Sequence, residues 1–179
     1  MERDRADAAV RAAVEAKDAA PRSGAVRELL GIALYRAGRF RDALRELQAY
    51  RRMTGRADQN HLIADAHRAL GQHVRAVEEA RATLRLRLPE QVHAEAVIVG
   101  AEALADLGRF DEAIGFIRSH PVRERVARRS DLRVWYAAGD VLERAGRRGE
   151  AATEFRRIVR HDAAAFDAAE RLAALEGSS

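Results

Sequence analysis

The chain has 179 residues, a formal net charge of +4 and no cysteine, with 34% charged and only 5% aromatic residues. That length suits one compact domain or a short repeat array, and the missing cysteine excludes disulfides, thiolate metal sites and a cysteine nucleophile. No uninterrupted apolar run approaches the ~18 residues of a membrane span, and the charged start MERDRADAAVRAAVEAKD lacks an apolar signal core, so the expectation is a soluble cytoplasmic protein.

Composition points to helices. Ala, Leu, Arg and Glu dominate, the prolines are Pro21, Pro89 and Pro121, and the β-branched and aromatic residues that strands favour are sparse. The positive balance is carried almost wholly by arginine, with Lys17 the single lysine. An arginine- and alanine-rich chain is what a GC-rich genome writes, so net charge alone argues weakly for nucleic acid.

Taken in chain order, the apolar periodicity first predicts a lone helix over about 7–20, closed by Pro21, with Ala9, Val10, Ala13 and Val14 as its apolar strip. Helix-length segments follow in pairs: 24–37 with 40–53, 57–70 with 73–87, 91–107 with 110–128, and 130–145 with 148–160. Between the members of each pair stands a glycine, namely Gly38, Gly71, Gly108 and Gly146, at spacings of 33, 37 and 38 residues. Leu30, Ala33, Leu34 and Ala37 before the first of these, and Phe40, Ala43, Leu44 and Leu47 after it, show the i, i+3, i+4, i+7 pattern. A glycine between two such segments reads as a tight helix-to-helix turn. Pro121 should end the second helix of the third pair early. FDAAERLAALEG, 166–177, predicts one closing helix, making ten in all.

The four copies together resemble the tetratricopeptide repeat (TPR), whose pattern is W-x2-L-G-x2-Y, then A-x3-F, then P, over 34 residues. The first copy supplies Leu30-Gly31, Leu34, Gly38, Ala43 and Leu47. The second has Ile63-Ala64, His67, Gly71, Ala76 and Ala80. The third has Ala101, Leu104, Gly108, Ala113 and Ile117, and the fourth Trp135, Ala138-Gly139, Leu142, Gly146, Ala151 and Phe155. The closing proline is missing from all four, and Gly146-Arg147-Arg148 lacks the turn aromatic. The resemblance implies an all-α, right-handed superhelical solenoid forming one domain over 1–179. Its parts would be a half repeat at 7–23, repeats at 24–56, 57–90, 91–129 and 130–162, and a capping helix within 163–177.

Family geometry implies that the first helix of each repeat lines a concave groove. It places Glu28, Leu29, Ile32, Tyr35, Arg36, His61, Leu62, Asp65, Arg68, Ile98, Val99, Glu102, Asp106, Tyr136, Asp140 and Glu143 on that face. The four first helices sum to −4 and the four second helices to +7, so the groove is expected to be acidic and the outer wall basic. Carboxylates alternating with apolar side chains suit a protein segment that presents Arg or Lys together with apolar groups. A chaperone-tail carboxylate clamp needs cationic and Asn side chains where this chain has Glu28, Ile32, Leu62, Glu95 and Val99, so that subtype is rejected.

Catalytic readings find little support. His61 and Asp65 are one turn apart, but His67 falls on another face and no third metal ligand converges. Ser130-Asp131 reads as a helix cap, the glycines are isolated rather than in a phosphate loop, and Trp135 matches a structural aromatic. The expected function is a non-enzymatic scaffold without cofactor or metal that binds a protein segment. The rivals are a nucleic-acid-associated repeat protein using Arg45, Arg51, Arg52, Arg81, Arg85, Arg156, Arg157 and Arg160, and self-association through the N-terminal half repeat.

Overall fold

A computed structural model describes residues 2–177, the side chains from residue 4 onward. Ten helices run in the order α1 (Glu2–Ala19), α2 (Gly24–Arg36), α3 (Phe40–Thr54), α4 (Asn60–Ala69), α5 (His73–Leu84), α6 (Glu90–Asp106), α7 (Phe110–Arg118), α8 (Arg129–Arg144), α9 (Arg148–His161) and α10 (Ala168–Glu176). Among the described residues there is no strand. Each helix packs on its neighbours in sequence, and α6 also packs on α4 and α8, so the chain is a solenoid of antiparallel hairpins.

The four hairpin turns share one geometry. Gly38, Gly71, Gly108 and Gly146 have φ between 71° and 75°, left-handed values at which a Cβ is strained. The residue after each glycine donates its backbone N–H back across the turn: Arg39 to Leu34 O, Gln72 to His67 O, Arg109 to Leu104 O and Arg147 to Leu142 O, at 2.8–2.9 Å. This closes the last carbonyls of the first helix, the reason a glycine belongs there. Three of those following residues are arginines whose side chains reach the acid three positions on: Arg39 to Asp42, Arg109 to Glu112 and Arg147 to Glu150.

Packing within the hairpins follows the repeat register. Ala43, Ala76, Ala113 and Ala151 are all fully buried, because helix axes this close leave room for little more than a methyl group. Gly139 takes the same logic further: a Cβ there would lie 2.7 Å from the Phe155 ring, which is itself fully buried. The largest core runs from α5 to α10 around Trp135, Leu142 and Phe155; a smaller one joins α1, α2 and α3 through Val10, Ala13, Leu30 and Leu34.

The ends of α7, α1 and α8 have local causes. α7 stops at Arg118, ten residues short of the 110–128 segment, and residues 119–128 run irregularly past Pro121. Proline can neither donate to a helical carbonyl nor leave its predecessor helical. α1 starts earlier than residue 7, and its strip divides: Val10 and Ala13 are covered by α2, while Ala9 and Val14 stay exposed. The cap at the start of α8 is Asp131, whose buried carboxylate accepts the backbone N–H groups of Arg128 at 2.8 Å and Arg123 at 3.2 Å.

Candidate functional site: the face of the first helices

The side chains of α2, α4, α6, α8 and α10 meet in a polar ladder that runs along the first helices from α2 to α10. Tyr35 on α2 donates its hydroxyl to Asp65 on α4. Asp65 also accepts from Arg68 at 2.8 Å, and Arg68 spreads over two carboxylates of α6, Glu102 at 3.2 Å and Asp106 at 3.3 Å. Arg144 on α8 meets Asp106 at 2.8 Å. From α10, Arg171 reaches back to Glu143 at 2.7 Å and Asp140 at 3.1 Å, with its guanidinium 4.6 Å from the Phe155 ring centroid. The Tyr136 hydroxyl donates to Asp167 at 2.7 Å and accepts from Arg171 at 3.1 Å. Outside this line, Gln59 donates to Glu28 at 2.8 Å and Arg133 pairs with Glu95 at 2.7 Å.

This changes the electrostatic reading. The carboxylates Asp65, Asp106, Asp140 and Glu143 lie along this ladder, but each is matched by an arginine of the same ladder, so an openly acidic groove is not what forms. A charge count assigns helices a sum; it does not say which charges touch. The cations of the ladder come from Arg68 and Arg144, already counted, and from Arg171 in the closing helix, which the sequence reading left out of the face altogether. The signal for Arg171 was present: it stands between the apolar Ala168 and Leu172, on the side of α10 that continues the first-helix row.

The remaining expected residues divide into three groups. Leu29 is 56% exposed, and Ile32 beside it is half-buried. With Ala6, Ala9 and Ala33 they floor a cleft of about 520 Å³ between α1 and α2, edged by Arg5 and Arg36. Ile98 and Val99, by contrast, are buried at 6% and 7%: Val99 packs with Ala64 and Ala80, and Ile98 joins the main core. They are a correction to the expected groove surface, because α6 sits mid-array with helices on both sides. His61 and Leu62 are half-buried, and burial pushes the His61 imidazole below its ordinary value. His67 turns inward, its Nδ1 2.7 Å from the Gln72 amide oxygen.

Glu102 is a carboxylate whose burial is only partly compensated. Burial pushes its carboxyl above the ordinary value; Arg68 opposes that, while Asp65, Asp140 and Asp106 add to it. Among the described residues its cation is Arg68, which is shared with Asp65 and Asp106. Asp106 shows the contrast: burial raises it too, but hydrogen bonds from Arg144 and Arg68 outweigh that and hold it below the usual aspartate value.

On the outer faces several arginines named for the rival reading are engaged. Arg51 pairs with Glu79, Arg156 with Glu176, Arg157 with Glu154 and Glu124, and Arg45 with Asp42. Among the described residues no group of three or more His, Asp or Glu is placed to hold a metal ion, and no helix is long and apolar enough to cross a membrane.

Comparison with known proteins agrees with this architecture. The family model described as tetratricopeptide repeat matches residues 61–125, and no curated protein matches the chain. Among solved structures, TTC0263, a thermophilic TPR protein in Thermus thermophilus, is similar at 18% identity with a TM-score of 0.75, over 97% of this chain and 91% of that one. MamA is similar at 19% identity and a TM-score of 0.64, over 93% and 86%. YrrB, a TPR protein with an unusual peptide-binding site, is similar at 13% and 0.61, over 95% and 84%. Identities this low speak for the fold alone. With its four glycine-turn hairpins and its solenoid stacking, the chain has the fold of these tetratricopeptide-repeat structures, and the family model matches it over residues 61–125.

Proposed function

We propose that the face of the first helices binds an extended or helical segment of a partner protein, and that the chain acts as a scaffold rather than an enzyme. The segment would set a cationic side chain against Glu102 and apolar side chains against Leu29 and Ile32. The observation that carries this reading is the electrostatic imbalance at Glu102. It is a half-buried carboxylate among three others, with one shared arginine, so a second cation would be drawn there more strongly than to any fully paired acid of the ladder. That a similarly folded protein, YrrB, is described as having a peptide-binding site gives the reading company, though at low identity.

The test is binding of a fluorescently labelled peptide alternating arginine and leucine, followed by anisotropy. Glu102→Gln should weaken it by about tenfold, the scale of one charge-assisted contact, and added salt should weaken it further. Arg81→Glu with Arg85→Glu, on α5 and just past its end, should leave it unchanged. Loss of binding in the outer pair with none in Glu102→Gln would transfer the function to the outer face. Asp106 and Asp140 are poor targets for this purpose, because each anchors an arginine that holds neighbouring repeats together.

A further inference from the structure

A second feature lies away from the ladder, on the second helices of the first two repeats. Arg41, Arg45, Gln48 and Arg52 of α3 recur at intervals of four, three and four residues, which sets them in one row about 16 Å long on a single side of the helix. The row forms one wall of a cleft of about 350 Å³. Opposite it stand Leu70 at the end of α4, the turn residue Gln72, and Arg75 in the first turn of α5. Among the described residues no aspartate or glutamate lines the cleft, and no phenylalanine, tyrosine or tryptophan.

The cations of this cleft are incompletely compensated. Among the described residues no carboxylate pairs with Arg41, Arg52 or Arg75, and Arg75 reaches only the Gln72 amide oxygen at 3.5 Å. Arg45 pairs with Asp42 at 3.1 Å and lies 3.7 Å from Glu46, but both acids hold other cations more closely: Asp42 has Arg39 at 2.9 Å, and Glu46 has Lys17 at 2.7 Å and Arg27 at 2.6 Å. The Arg39 hydrogen bond foremost, with the charges of Arg39, Arg45 and Arg41 behind it, holds Asp42 below the ordinary aspartate value against the effect of burial. Like charges one turn apart, as Arg41 and Arg45 are, repel, so an anion beside the row relieves it. His67 donates from Nδ1 to the Gln72 amide oxygen at 2.7 Å, which leaves the Gln72 NH2 to donate.

We infer that this cleft docks an acidic segment of a partner protein, its carboxylates along Arg41, Arg45, Arg52 and Arg75 and an aliphatic side chain against Leu44 and Leu70. Charge complementarity selects the occupant: a surface that carries cations and no acid attracts a segment of the opposite sign. The cations are strung along a helix and not gathered at one point. Arg41 and Arg45 are about 6 Å apart along the axis, the spacing of acidic side chains one turn apart on a docked helix. A nucleic acid offers similar charge, but recognition of single strands relies on aromatic stacking, for which the cleft has no ring. Leu44 and Leu70 suit a leucine-like side chain instead. The surface uses neither Glu102 nor Leu29, so it is independent of the first-helix reading and takes a segment of opposite charge.

The probe is a labelled peptide of about twelve residues with three glutamates to each leucine, long enough as a helix to follow the row. Its anisotropy should rise saturably with protein and fall back as salt is added. Arg41→Ala, Arg52→Ala and Arg75→Ala made together should weaken binding about thirtyfold, roughly threefold for each exposed charge pair. All three side chains are exposed, so helical circular dichroism should be retained. Arg85→Ala, Arg87→Ala and Arg160→Ala together remove the same charge elsewhere and should change binding by less than about twofold. The peptide with glutamine in place of leucine should bind about fivefold more weakly, the scale of one partly buried leucine. It should also leave in place the Leu70 methyl signals that the leucine peptide moves. The inference is overturned if binding does not saturate, if the cleft variant binds undiminished, if the control set loses as much as the cleft set, or if the glutamine peptide binds as tightly. Tighter binding of an oligothymidylate of equal charge would overturn it in favour of nucleic acid.

Discussion

Arg171 of α10 donates to the Glu143 carboxylate of α8 at 2.7 Å while its guanidinium lies 4.6 Å from the centroid of Phe155 on α9. One side chain thereby ties the closing helix to both helices of the last repeat. Its pairing with Asp140 and the Tyr136 hydroxyl makes it the end of the polar ladder that starts at Tyr35.

Arg171→Ala should therefore destabilise the protein by about 1–2 kcal/mol, through lost stacking as well as lost ion pairs, with the effect concentrated at the C-terminal end. Limited proteolysis should cut within α10 sooner in the variant than in the parent. Equal cleavage rates would show that the apolar contacts of Ala168 and Leu175 hold that helix unaided.

Gly108→Val should cost about 1 kcal/mol or more, because the residue sits at φ 74°. Nothing lies within 4 Å of where its Cβ would be, so the cost is backbone strain and not a clash. Gly108→Ala should show much of the same loss in thermal melting, since strain depends on having a Cβ more than on its size.

Gly139→Ala presents the reverse case. The residue lies in regular helix with no positive φ, but its new methyl would meet the Phe155 ring at 2.7 Å, an overpacking cost of about 1–3 kcal/mol. Phe155→Leu made together with it should be less than additive, because the smaller side chain gives the methyl room. Chemical denaturation of the two single variants and the double variant closes the cycle; strict additivity would place the strain elsewhere.

Acid should loosen α1 through Glu46, which is buried on α3 between Lys17 at 2.7 Å and Arg27 at 2.6 Å. Burial acts to raise its carboxyl, but the bonds from Lys17 and Arg27 outweigh that and hold it below the ordinary value of 4.5. A depressed carboxyl contributes stability that is full above the unfolded value and lost as pH falls through the folded one, so the loss should appear below about pH 4.5. Glu102 and Glu154, raised by burial, change stability in the opposite direction as they protonate. Comparison with Glu46→Gln isolates the effect: hydrogen exchange in α1 should accelerate with acid in the parent, and the variant should exchange fast already at neutral pH.

The helical hairpins were legible in the sequence because their signals are local. A glycine forced to positive φ, apolar residues on a 3.6-residue period and a proline at 121 each act within a few positions of themselves, so Gly38, Gly71, Gly108 and Gly146, and the early end of α7, could be read without neighbours. The register of the copies also carried Ala43, Ala76, Ala113 and Ala151 into the core, since a repeated small residue has one packing reason repeated. What the chain presents on its first-helix face was decided by tertiary structure. Ile98 and Val99 obey the surface register yet are buried, because α6 is flanked on both sides; Asp106 and Asp140 count as acidic in sequence yet are matched by Arg68, Arg144 and Arg171 from neighbouring repeats. Charge is a property of a residue, but its compensation depends on which residues of other helices come within about 3 Å, and only the stacking of the solenoid sets those distances. The same holds for Trp135: sequence assigned it to the core, and only the folded chain shows that its indole N–H is buried there without an acceptor.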